Sequence, residues 1–183
     1  MRYAIRPDMD HAARLFPSVL SEILAYTDLV DDKGDPDGAE RDAMAARIEA
    51  LTGKDTEKFD LVEWWEGEGA EVIAFRLALP DPPTLPLTKA DLEEVVGWIH
   101  APGDSAETLA ELSDRLQPDP PWEDQSFART FTPYLDDYFH ELLRRNCKWY
   151  DFHKLFGSHQ HPDGTRTELS TTQVVDALLA AQR

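Results

Sequence analysis

The chain has 183 residues and a net charge of −18, from 36 Asp and Glu against 18 Lys and Arg, with 42% apolar residues and five tryptophans. That length suits one buried core, so a single domain over 1–183 is expected, and the apolar content excludes a disordered acidic tail. The charge excludes broad binding to nucleic acid or anionic membrane surfaces and favours cations and basic proteins as partners.

No apolar run approaches the roughly 20 residues needed to cross a bilayer. The opening turns polar at Arg6-Pro7-Asp8, too early for a secretory signal, and the single Cys147 cannot form an internal disulfide, so the expected compartment is the cytoplasm. Residues 1–124 hold 29 Asp and Glu against 11 Lys and Arg, whereas residues 125–183 hold 7 against 7. The neutral part carries Cys147 and four of the six histidines, His140, His153, His159 and His161.

In chain order, residues 2–6 read as a short strand and Pro7 opens a helical segment. Pro17 suits a helical first turn, followed by the apolar face Val19, Leu20, Ile23, Leu24. An acidic turn at 31–38 separates this from a second helix over about 39–51, with Met44, Ile48 and Leu51 on one side and Gly53 beyond its end. Over 59–79 apolar residues alternate around Gly67-Glu68-Gly69, which predicts a β-hairpin with a core face. Pro80, Pro82, Pro83 and Pro86 then form a stiff connector. Thr88-x-x-Asp91 and Asp104-x-x-Glu107 are start signals for two helices. Pro118, Pro120 and Pro121 mark a subdomain joint near 117–125.

Thr132-Pro133 reads as the start of a helix whose buried stripe is Leu135, Tyr138, Phe139, Leu142 and Leu143, with Asp136 and Asp137 near its start and Arg144, Arg145 and Lys148 near its end. Trp149, Tyr150, Phe152, Leu155 and Phe156 extend to Gly157 as a further helical stretch of core aromatics. After a polar loop over 158–166, Ser170-x-x-Gln173 opens a last helix. The expected fold is α+β: mainly helical, with a small antiparallel sheet built on the hairpin at about 59–79.

Several clusters carry potential chemistry. Cys147, His153, His159, His161 and Asp163 supply the thiolate, imidazole and carboxylate ligands that zinc or another transition metal takes, although the spacing matches no established finger. His140-Glu141 begins like a His-Glu-x-x-His zinc helix, but Arg144 stands where the second histidine belongs. Cys147 and His153 are also the residue types of a nucleophile and its base. Asp31, Asp35, Asp37 and Glu40 resemble a calcium loop by composition, but placing Gly38 at the glycine position puts Lys33 and Met44 at the terminal ligand positions. The opening Tyr3-Ala4-Ile5-Arg6-Pro7-x-x-Asp10, leading into Ala12, Ala13, Leu15 and Phe16, is similar to the first strand and helix of acetyltransferases that use acetyl-coenzyme A. The phosphate-binding turn Gln/Arg-x-x-Gly-x-Gly/Ala of that family is missing, which excludes it.

The function expected from these residues is non-enzymatic and needs no cofactor: an acidic protein of the inhibitor, immunity or adaptor type that engages a basic protein. Trp64 and Trp65, beside Glu63, Glu66 and Glu68, form the expected binding site, because one of two adjacent strand tryptophans must face away from the core. The alternative is a metal-dependent enzyme built on His153, His159 and His161 with Asp163 or Cys147.

Overall fold

A computed structural model describes residues 1–63, 67–100, 127–160 and 164–180. The helix expected after Asp104, the joint near 117–125, and Trp64, Trp65, Glu66, His161 and Asp163 lie outside those residues. The described residues are mainly helical with one two-strand antiparallel sheet, an α+β composition. The chain divides into two compact units, one Asp8–Pro80 and the other Met1–Pro7 together with Asp81–Arg183.

In the first unit, helix α1 (Met9–Lys33) starts at Asp8, whose carboxylate accepts the His11 backbone N–H at 2.9 Å. Its stripe Ala12, Phe16, Val19, Ile23 and Tyr26 follows helical spacing and is buried. Pro17 was expected to begin a helix and instead sits inside this one. Its side chain is exposed, so the missing hydrogen bond falls on the solvent side while the buried stripe runs past it unbroken. Helix α2 (Ala39–Thr52) buries Met44 and Ile48 and ends at Gly53, whose φ of 70° is a left-handed cap.

The hairpin expected over 59–79 does not form. Its second half is helix α3 (Ala70–Ala78), preceded by Gly69 and packed mainly on α1. Every residue of α3 except Glu71 and Arg76 is buried. Both sets in the apparent alternation are therefore apolar, and such a run is compatible with a fully buried helix as well as a strand. Three alanines within nine residues then favour the helix. Lys54 Nζ donates to the Arg76 carbonyl at 2.7 Å and so satisfies an acceptor near the end of α3.

In the second unit, residues 2–6 are not a strand but a 3₁₀ turn (Tyr3–Ile5) with Ile5 buried. Helix α4 (Lys89–His100) begins with the expected capping box: Thr88 N–H donates to Asp91 Oδ2 at 2.8 Å, and Asp91 N–H to Thr88 Oγ1 at 3.2 Å. Asp91 is buried and also pairs with Arg2 at 2.9 Å. Helix α5 (Phe127–Phe131) leads into a 3₁₀ turn (Thr132–Tyr134), and helix α6 spans Asp136–Asn146. Thr132 does not start α6; its buried hydroxyl donates back to the Ala128 carbonyl at 2.5 Å, closing α5 instead. Tyr138, Phe139, Leu142 and Leu143 of α6 are buried as expected, with Phe139 against Trp98 of α4 at 4.6 Å between ring centroids.

A single-turn helix α7 (Phe152–Phe156) follows. The sheet of this fold lies in the stretch read as a polar loop: β1 (His159–Gln160) pairs antiparallel with β2 (Arg166–Thr167), His159 opposite Thr167 and Gln160 opposite Arg166. Helix α8 (Thr171–Ala180) carries the expected Ser170–Gln173 box, with Ser170 N–H donating to Gln173 Oε1 at 2.8 Å, and it packs on α4.

Candidate functional site

Residues 8–80 hold 18 Asp and Glu against 7 Lys and Arg. Seven of these acids fall within 28–42, at the corner where α1 ends and α2 begins, against only Lys33 and Arg41. Asp42 pairs with Arg41 at 2.8 Å, and five of the others divide into two groups by what they do locally. Asp35 is a structural acceptor: it takes the Arg41 N–H at 3.0 Å, the Glu40 N–H at 3.3 Å and the Tyr26 hydroxyl at 3.3 Å. The Arg41 amide holds the Asp35 carboxyl below its ordinary range, and burial followed by the Asp35 charge pushes the Tyr26 phenol up. Asp37 accepts the Ala39 N–H at 3.3 Å. Two of the four acids of the calcium-like composition, Asp35 and Asp37, are thus spent on capping α2.

Asp28, Asp31 and Asp32 do none of this. They are exposed, and among the described residues no hydrogen bond or ion pair engages their side chains. Asp31 and Asp32 sit in the last turn of α1, where the helix dipole is negative and a carboxylate is unfavourable by about 0.3–1 kcal/mol each.

Of the expected tryptophan site, Glu63 and Glu68 are described, and both are exposed. Glu63 contributes its backbone N–H to Asp60 Oδ1 at 2.8 Å, and Glu68 pairs with Arg76 Nη1 at 2.6 Å. Glu68 is therefore partly neutralised within its own unit.

Of the metal set, Cys147 is buried, 4% exposed, at the end of α6, and its N–H donates to the Leu143 carbonyl at 2.8 Å. His153 is exposed on α7. His159 Nε2 donates to the Lys154 carbonyl at 3.1 Å, which commits one ring nitrogen. Among the described residues no group of three or more His, Cys, Asp and Glu is arranged to hold a metal ion. Arg144 and Arg145, near Cys147 in sequence, both turn to Glu141, and Arg145 also reaches Asp81.

The chemistry that sequence reading missed centres on His140. Its Nδ1 lies 2.6 Å from the Tyr150 hydroxyl, and the rings of Phe152 and Phe156 stand edge-on to it at 5.0 and 5.1 Å. Burial holds the imidazole below the ordinary histidine range, against the opposing pull of Asp136 and Asp137, and burial pushes the Tyr150 phenol up. The signal available was His140 followed ten residues later by the aromatic run, but only the turn after Cys147 folds the two together. The run was expected to be core, and two of its rings are not: Trp149 is 68% and Phe152 46% exposed, with Lys148 Nζ 5.4 Å from the centre of the Trp149 ring.

No helix among the described residues is long and apolar enough to cross a membrane. Compared with protein-family models, with curated proteins and with solved structures, the chain gives no match.

Proposed function

We propose that the protein is a non-enzymatic binding protein that engages a basic partner through the acidic corner at the end of α1, in the manner of an inhibitor, immunity protein or adaptor. The observation that carries this reading is the position of Asp31 and Asp32. Placing exposed carboxylates, unpaired among the described residues, at the negative end of a helix costs stability, and a cationic partner offsets that cost on binding. Asp28 one turn earlier and Glu40 at the start of α2 extend the same negative field, whereas Asp42 is paired with Arg41. Trp64 and Trp65, flanked by Glu63, Glu66 and Glu68, enter the reading on sequence grounds as its apolar anchor.

The test is partner capture at two salt concentrations with the wild type and a variant carrying Asp28→Asn, Asp31→Asn and Asp32→Asn. Capture that weakens steeply with salt and is lost in the variant supports the reading, because exposed charges are screened over about 8 Å at physiological ionic strength. Capture indifferent to salt, or unchanged in the variant, refutes it.

A further inference from the structure

We propose that His140 is an acid-sensitive latch for the turn 150–157: neutral, it ties Tyr150 and helix α7 to α6, and uptake of a second ring proton releases them. The proposal concerns the second unit and stands apart from the acidic corner.

Helix α7 has five residues, far too few for stability on its own. Its backbone is closed by Leu155 N–H donating to the Asp151 carbonyl at 3.0 Å and Gly157 N–H to the His153 carbonyl at 3.1 Å. What docks it is side-chain contact. Leu155 is buried, and the Phe156 ring stands edge-on to two histidines, His140 of α6 at 5.1 Å and His100 of α4 at 5.5 Å. His100 is itself fixed by Thr171 Oγ1 at 2.9 Å, on the first residue of α8. His140 is the half-buried member, and three contacts converge on its one ring: the Tyr150 hydroxyl, Phe152 and Phe156.

A neutral ring protonated on Nε2 accepts the Tyr150 O–H at Nδ1. A second proton makes Nδ1 a donor, so the hydroxyl must turn round to accept, and a full charge is held in a half-buried place. Among the described residues the charges around the ring are few. On α6, Asp136 and Asp137 favour the imidazolium, while Glu141 and Arg144 are paired with each other. On the turn and α7, Asp151 is paired with Lys154 and His153 is exposed; on α4 the facing titratable group is His100. Burial outweighs the two aspartates, so the released form binds the proton more tightly than the latched form. The latch is closed above the ordinary histidine range and opens as pH falls through and below it. Opening uncovers Leu155 and Phe156 beside the already exposed Trp149 and Phe152, which creates a continuous apolar face.

The experiment follows the His140 imidazole by NMR between pH 8 and pH 5 in the full chain, together with hydrogen exchange at the Leu155 and Gly157 amides corrected for intrinsic rate. Protection should fall with the midpoint at which His140 titrates, tenfold for each unit separating the latched and released midpoints. In His140→Phe, which keeps a ring and cannot titrate, protection should be flat across the range. Should that variant fail to dock α7 at any pH, Tyr150→Phe takes its place: the fold-loss shrinks and the midpoint rises. Constant protection while His140 titrates, an unchanged loss in His140→Phe, or an unchanged midpoint and loss in Tyr150→Phe overturns the proposal.

Discussion

Asn146, the only asparagine of the chain, ends α6 and anchors the proline connector with one side chain. Its Oδ1 accepts the Leu85 N–H at 2.6 Å, while Nδ2 donates to the Pro83 carbonyl at 2.9 Å and the Leu142 carbonyl at 2.8 Å. Asn146→Ala removes all three. At about 1 kcal/mol net per hydrogen bond the loss is about 3 kcal/mol, and solvent reaching the half-buried Leu85 amide trims it to about 2. For a chain of this length each kcal/mol moves Tm by about 2–4 °C, so thermal unfolding followed by circular dichroism should shift down by about 4–8 °C. Asn146→Asp is the stricter variant: it keeps the acceptor for Leu85 but turns a carboxylate toward two carbonyls, and it should cost at least as much. A change under about 0.5 kcal/mol in Asn146→Ala, or a tolerated aspartate, would refute the anchoring argument. Arg144→Ala, which breaks an exposed pair with Glu141, is the control and should stay within that same 0.5 kcal/mol.

Ala74, fully buried in α3, separates helix from strand: Ala74→Val, which a strand would favour, should destabilise by about 1–3 kcal/mol through overpacking, as read by urea unfolding. Gly157→Ala would place a Cβ 2.2 Å from the His153 carbonyl oxygen, so α7 should lose its hydrogen-exchange protection while the rest of the chain keeps its own. Replacing Asp31 and Asp32 together by asparagine should raise stability by about 1 kcal/mol in denaturant titration while weakening partner capture; a loss of stability would mean that these carboxylates serve the fold. Stability should also decline as pH falls from the ordinary histidine value of about 6.5 toward the depressed value of His140, a slope that His140→Phe removes.

The sequence carried the ends of helices better than their middles. Thr88-x-x-Asp91, Ser170-x-x-Gln173 and Gly53 act through bonds within a few residues, so local reading found them. The run 70–78 failed because nearly every residue is apolar: a period can be read only from contrast, and a helix buried all round offers none. Thr132 failed for the opposite reason, since its hydroxyl had an equally local rival acceptor behind it at Ala128. The strand pair at 159–167 is two residues deep and carries no apolar pattern. At the site, the acidic corner is plain from composition, but which carboxylates are committed to capping is not, because that depends on how Asp35 faces the first turn of α2. The His140–Tyr150 contact depends on a chain reversal that no spacing rule encodes.

The unit that holds α4 to α8 is discontinuous, with Met1–Pro7 as its first piece and Asp8–Pro80 interposed before the remainder. During synthesis Arg2 and Ile5 therefore emerge long before Asp91, the buried carboxylate that Arg2 pairs with. At about 5–20 residues per second the interposed 73 residues take about 4–15 s to appear, ample time for a contiguous helical unit to fold. The nascent chain would thus carry α1 to α3 folded while Arg2 and Ile5 still wait for the rest of their own unit.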